Sequence, residues 1–206
     1  MGSLFPNSID SFTDPLANSP LNSPSHAGQH QNLNDAVEKI ETYMGLVKVT
    51  GGTFSGADPL SVTNCFSSTY DHYEVLLQCY GSVATNSTLN FYTGTNTVYN
   101  AATYNRYGFY MGSGAQVNFY APNLGGAFVT NHGTTSTVPS PIRMTIFSPY
   151  LSTSQTTIMH KALDTNGGLF IDLMHQVSTT VQFTGFQIDA GTGSITGNYA
   201  VYGYRK

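Results

Sequence analysis

The sequence predicts a mainly β protein with three parts: an extended N-terminal arm over residues 1–31, a short coiled-coil helix over 32–45, and a C-terminal antiparallel β-sandwich of jelly-roll-like form over 46–206. Three observations predict this organisation. Prolines and serines are concentrated in the arm, a 4-3-4 apolar spacing occupies the helix, and hydrophobicity alternates with a period of two beyond it. Charged residues make up only 9% of the chain, but 13% aromatic residues supply the material for a core.

The arm is predicted to be extended because its four prolines oppose both a long helix and a central strand. It is also too apolar for an ordinary solvated linker, so we expect it to become ordered on another surface. A flexible tail is the alternative. The residues expected to dock it are Phe5, Ile9, Phe12, Leu16, Leu21, His26 and His30.

The helix is predicted from an N-cap at Asn32 or Asn34 and a C-terminal stop at Gly45. Its apolar residues are spaced as in a coiled-coil seam, which would continue past Gly45 only if the helix does. Two heptads are marginal for a lone helix in water, so partner copies are expected, and a homotrimer is compatible with β-branched core residues. A single helix packed on its own domain is the alternative. The predicted trimerisation residues are Leu33, Val37, Ile40, Met44 and Val47.

The sandwich is predicted from strand-like segments that turn sequences separate, with no helical pattern between them. In the clearest segment, Tyr73, Val75, Leu77 and Cys79 fall on one face. The last two segments are predicted to form a closing hairpin. About eight to ten strands are expected, within residues 46–54, 71–80, 88–94, 107–112, 115–122, 141–148, 156–163, 167–176, 179–190 and 194–206.

Few residues of this chain are candidates for a catalytic role. Carboxylates are sparse, and Asp164 with Asp172 is the pair that could serve a glycosidase. No nucleophile or phosphate-loop motif occurs, and the histidines beyond the helix are dispersed in sequence. We therefore expect no catalytic residues, no metal site and no cofactor. For Cys65 and Cys79, buried thiols are favoured and a disulfide stays open.

The charge and hydropathy of the chain argue against two classes of partner, nucleic acids and membranes. The formal net charge is −4 and no basic stripe occurs, so nucleic acid is not an expected partner. No run of 18 apolar residues occurs, so membrane insertion is not expected, and the first residues do not resemble a secretory signal.

Tyrosines crowd one stretch of the predicted sandwich, mixed with Asn, Thr and Gly. Tyrosine offers contact area with a polar tip, which suits recognition of sugars or proteins. The alternative is that most of these rings fill the core. The candidate ligand surface comprises Tyr92, Tyr99, Tyr104, Tyr107, Tyr110 and Tyr120.

The N-terminal zone resembles that of many tailed-bacteriophage virion proteins. The resemblance is carried by the run from Ser23 to Glu38, which matches the pattern S-P-S-H-x-x-Q-H-x-x-L-N-D-A-[VI]-E, and by its lead-in LFPNSIDSFT. The C-terminal strands, ending in VYGYRK, look like the sandwich often joined to that module.

The resemblance implies a non-enzymatic virion appendage, a short trimeric fibre or decoration protein released by lysis. The arm would bind other capsid or tail proteins, the helix would trimerise the chain, and the sandwich would face the host, where it could bind a surface glycan or protein. A purely structural capsid or tail component is the alternative, and a polysaccharide depolymerase is a third reading that the sparse carboxylates disfavour.

Overall fold

The computed structural model describes residues 26–43, 45–94, 96–112 and 115–205. The chain divides into two compact units, Met1–Gly45 and Leu46–Lys206, and we call the second the β unit. The predicted docking residues Phe5, Ile9, Phe12, Leu16 and Leu21, and Met44 of the seam, lie outside the described residues.

The described elements are one helix and thirteen strands: α1 (His26–Tyr43), β1 (Leu46–Ala57), β2 (Leu60–Val62), β3 (Tyr70–Gly81), β4 (Thr85–Thr93), β5 (Thr97–Tyr99), β6 (Tyr104–Gly112), β7 (Ala115–Leu124), β8 (Ala127–His132), β9 (Ser140–Phe147), β10 (Thr157–Asp164), β11 (Leu169–Val177), β12 (Gly185–Asp189) and β13 (Ile195–Arg205).

Helix α1 begins six residues before the predicted start. His26 and His30 therefore lie in the helix and not in an extended arm, and Asn32 and Asn34 are interior residues, not caps. The prediction placed the start at the first apolar-periodic residues. Residues 26–31 contain no proline or β-branched residue, and Gly28 weakens a helix without ending it.

The apolar stripe of α1 faces solvent. Leu33, Val37 and Ile40 are 55%, 45% and 43% exposed. Gly45 follows the helix with φ at +93°, a conformation that glycine adopts without steric cost and that commonly ends helices. Val47 lies in β1 and not in a continued helix, so its assignment to the seam was wrong.

The β unit is an antiparallel sandwich, which confirms the mainly β fold class. One sheet has eight strands in the order β1-β13-β3-β9-β10-β11-β6-β7, and the other has the order β2-β12-β4-β5, with β8 also paired to β4. In both sheets strands distant in sequence are neighbours, as in jelly-roll-like folds. Side chains from both sheets form one core, which includes Val75, Leu77, Met144, Ile171, Leu89, Phe91, Phe186 and Ile188.

Strand β3 follows the predicted alternation. Tyr73, Val75, Leu77 and Cys79 are all buried in the core. The opposite side of the eight-stranded sheet, which points away from this core, is called the outer face below. On β3 it carries His72, Glu74, Leu76 and Gln78, the residues at the alternate positions.

The predicted closing hairpin is wrong. Strand β12 belongs to the five-stranded sheet and β13 to the eight-stranded sheet, so the chain between them crosses from one sheet to the other. Gly191 and Gly193, both at positive φ, make the reversal of this connection possible. The predicted strand over 179–190 is paired only at Gly185–Asp189, and the short strands β2, β5 and β8 were missed.

Gly197 shows how closely β13 approaches β3. A Cβ atom there would lie 2.0 Å from the carbonyl oxygen of Gln78. We expect Gly197→Ala to lower the free energy of unfolding by about 1–3 kcal/mol, the usual cost of overpacking, in urea titrations. Gly52→Ala is the control, because a Cβ there meets nothing within 4 Å. Equal losses in the two variants would contradict the close approach.

Candidate functional site

The outer face is organised in rows, because antiparallel register places directly opposed side chains on the same side of a sheet. The central row runs from Leu76 on β3 through Arg143 on β9 and Lys161 on β10 to Asp172 on β11. Two cations are thus direct cross-strand partners, an arrangement that is unfavourable for like charges.

A carboxylate flanks each cation on its outer side. The Arg143 guanidinium holds Glu74 in a two-pronged contact, with Nε 2.9 Å from Oε1 and Nη2 3.1 Å from Oε2. Tyr204 donates its hydroxyl to the same carboxylate at 3.0 Å, and this hydrogen bond raises the pKa of Tyr204. Lys161 Nζ lies 2.9 Å from Asp172 Oδ2. The charge order across four strands is acid, base, base, acid, with the positive charge at the centre.

A cavity of about 540 Å³ opens beside this central row. Its size falls within the range of about 300–1,000 Å³ that is usual for small-molecule sites. Arg143 and Lys161 supply its charge and the amides of Gln78 and Asn198 its neutral polar groups. Its outward-facing apolar lining comprises Leu76, Pro141, Leu163 and Phe170.

Apolar side chains cover the outer face on the side of β10, β11, β6 and β7. Met159 is the direct partner of Met174, Leu163 of Phe170, and Phe170 of Met111. All five are exposed by a third or more of their surface. They lie on both sides of the Lys161–Asp172 ion pair. Several large exposed apolar side chains on one face mark an interaction site more often than a single exposed residue does.

The predicted tyrosine surface is divided by the structure. Tyr107 and Tyr120 lie on the outer face with ring centroids 5.2 Å apart, and Tyr120 is 64% exposed. Tyr92 and Tyr104 are buried, so their assignment to a ligand surface was wrong. Tyr99 and Tyr110 are partly buried and pack against the core.

The register of the strands explains this division. Tyr104 occupies an inward position, where its hydroxyl donates to the backbone oxygen of Tyr99 and accepts the amide of Phe91. Tyr92 donates to Gln187. Each buried hydroxyl therefore has a partner, which is what allows tyrosine to serve as a core residue.

The cavity residues were missed by the sequence analysis. Arg143 and Lys161 fall at the polar positions of two alternating segments, which shows that they face outward. That they oppose each other follows only from the pairing of β9 with β10, and the sequence alone does not give that register.

The two candidate catalytic carboxylates lie on opposite faces of the sheet and do not form a pair. Asp172 is on the outer face, whereas Asp164 is buried. Asp164 accepts hydrogen bonds from Asn131 Nδ2 at 2.8 Å and from the amides of Asn166 and Gly167, so it organises the turn after β10.

Two histidines that the sequence left dispersed meet in the core. His160 and His175 come from paired strands, with ring centroids 6.1 Å apart, and none of their four nitrogens makes a hydrogen bond of ordinary geometry. Burial lowers the pKa of His160 to about 4 and that of His175 to about 3. Burial also lowers the pKa of His132 to about 4, and its Nε2 lies 2.8 Å from Ser87 Oγ. All three are neutral at pH 7.

Both cysteines are buried free thiols, so the disulfide alternative is wrong. Burial raises the pKa of Cys65 and of Cys79 to about 12, which keeps both thiols protonated and unreactive at neutral pH.

Within residues 26–43, 45–94, 96–112 and 115–205, no three His, Cys, Asp or Glu side chains come together as metal ligands would. In the same part of the chain, no helix has the apolar length that a membrane crossing requires.

The chain matches no protein-family model and no curated protein. Among solved structures it is similar to the Caenorhabditis elegans galectin LEC-6, at 14% identity over 73% of this chain and 94% of that one, with a TM-score of 0.30. It is also similar to the Shewanella oneidensis MR-1 protein of unknown function SO2946, at 7% identity over 79% and 80%, with a TM-score of 0.22.

Proposed function

We propose that the chain is a trimeric bacteriophage virion appendage, a short fibre or decoration protein that is anchored by its N-terminus and presents the β unit to the host surface. The observation that carries the proposal is the exposed stripe of α1. Three apolar side chains at steps of four and three face solvent on a helix of 18 residues, and such a stripe is normally buried by partner helices.

Two further observations support the proposal. The segment from Ser23 to Glu38 resembles the N-terminal module of tailed-phage virion proteins. The outer face of the β unit offers an exposed apolar area beside a charged cavity, which suits contact with a ligand on a cell surface. Anchoring and recognition are then assigned to the two separate units of the chain.

Removal of residues 1–25 tests the anchoring role. We expect particles assembled with the truncated chain to lack it, because five of the seven predicted docking residues are gone, while α1, with His26 and His30, and the β unit are kept. The measurement is quantitative mass spectrometry of particles purified on a density gradient. Tyr120→Ala is the matched control, since this exposed residue of the outer face has no part in anchoring. Incorporation of the truncated chain at the level of the full chain would refute the anchoring role.

A further inference from the structure

We infer that the outer-face cavity between β3, β9, β10 and β11 binds a carboxylated sugar unit of an acidic polysaccharide, with the carboxylate held between Arg143 and Lys161. This inference rests on the proposed host-surface role and names the ligand class for it.

The paired cations point to an anionic group. The chain has seven Lys and Arg residues, and Arg143 and Lys161 are direct cross-strand partners with side chains 62% and 59% exposed. Two like charges in this position repel each other. A carboxylate seated between them would replace that repulsion with two charge-assisted hydrogen bonds, the strong class of such bonds.

The positions of Glu74 and Asp172 leave the centre of the row attractive to an anion. Glu74 on β3 and Asp172 on β11 belong to the strands that flank β9 and β10, so the space between Arg143 and Lys161 is bordered by the two cations. Glu74 is nearly buried and already bound by Arg143 and Tyr204. Asp172 is the more exposed of the two, with 31% of its side chain accessible.

The remaining polar groups favour a sugar over other anions. The amides of Gln78 and Asn198, which are direct partners and line the cavity, can both donate hydrogen bonds to and accept them from hydroxyl groups. An acidic sugar presents one carboxylate among several hydroxyls and uses both kinds of group. A fatty acid has no hydroxyls for the amides of Gln78 and Asn198, and a free phosphate has no apolar surface for the walls.

The apolar walls complete the match. Phe170, Leu163 and Leu76 line the cavity beside the cations. A pyranose ring has apolar C–H faces as well as polar edges, so it can lie against these side chains while its substituents reach the polar groups. The cavity volume of about 540 Å³ accommodates a short stretch of polysaccharide.

Calorimetric titration of the full chain tests the inference. The probes are tetragalacturonate and a tetramer of α2,8-linked sialic acid, with maltotetraose as the neutral sugar and dodecanoate as the anion without hydroxyls. We expect at least one acidic oligosaccharide to bind, more weakly as salt is added, and the two other compounds to bind at least tenfold less tightly.

Lys161→Gln and Phe170→Ala are each expected to weaken that binding at least tenfold. Lys161 is a better choice than Arg143, whose removal would leave the nearly buried Glu74 without its cation. Lys48→Gln is the matched control, because Lys48 is an exposed cation of the outer face on β1, away from the cavity. It should leave the affinity unchanged, and unfolding midpoints should verify that all three variants are folded.

Four results would overturn the inference: no binding of either acidic oligosaccharide, equal binding of maltotetraose, tighter binding of dodecanoate, or the same loss in Lys48→Gln as in Lys161→Gln. None of these bears on the proposed anchoring and trimerisation, which are measured by particle incorporation and molar mass. A chain that assembles normally yet ignores acidic sugars would refute the ligand class alone.

Discussion

Acidification is expected to destabilise the β unit steeply below about pH 6.5. Burial lowers the pKa values of His132 and His160 to about 4 and that of His175 to about 3, whereas an unfolded chain has histidine values near 6.5. Between pH 6.5 and about 4 the unfolded state therefore binds more protons than the folded state, and the free energy of unfolding falls with pH. Each histidine contributes about 1.4 kcal/mol per pH unit, so the three together approach about 4 kcal/mol per unit.

This loss over two pH units rivals the whole stability of an ordinary domain, about 5–15 kcal/mol. We therefore expect unfolding at about pH 4–5, followed by circular dichroism, and a stability that is flat above pH 7 as far as these histidines are concerned. His160→Leu and His175→Leu should each reduce the slope by about a third, because each removes one proton-binding group.

His72→Gln is the control for these variants, since His72 is exposed on the outer face. An unchanged acid slope in both leucine variants would show that the core histidines are not the groups that titrate on unfolding. A slope reduced equally by His72→Gln would contradict the same account.

Disruption of the α1 stripe is expected to separate the chains. The double variant Val37→Asp/Ile40→Asp places two carboxylates at positions that a helical trimer buries, and unpaired buried charges are strongly unfavourable. We expect sedimentation velocity to show one species of single-chain mass. The strand signal in the circular dichroism spectrum, which reports on the β unit, should stay as in the unaltered protein.

Gln31→Asp/Asn34→Asp adds the same charge to the same helix away from the stripe, at two other exposed positions. This control should keep the mass of the unaltered protein. If the seam variant and the control sediment identically, the stripe does not hold copies together.

Local sequence patterns predicted the features that depend on neighbouring residues, namely the buried face of a strand and the end of the helix. The alternation of Tyr73, Val75, Leu77 and Cys79 identified the buried face of β3, because successive side chains of a strand point to opposite sides. Gly45 marked the end of α1, because glycine tolerates the positive φ found there. The start of α1 was misplaced, since no residue between the last proline and the apolar seam stops a helix from extending.

The features that the sequence analysis missed depend on which distant strands pair with each other, and local patterns do not give that pairing. Tyr104 and Tyr107 lie three positions apart in β6, so they point to opposite faces of the strand. Which of the two faces meets the core depends on how β6 pairs within the sandwich, and Tyr104 is the buried one. The cavity depends on the register of β9 with β10, which opposes Arg143 to Lys161. The closing hairpin was mispredicted because two strand-like segments joined by a glycine-rich turn can also belong to different sheets.

The molar mass of the full chain in solution tests the central claim most directly. Light scattering coupled to size exclusion, at neutral pH and micromolar concentration, should give about three times the 22.2 kDa of one chain. A mass of one chain at every concentration tested would contradict the account, since the exposed stripe of α1 would then have no partner helices.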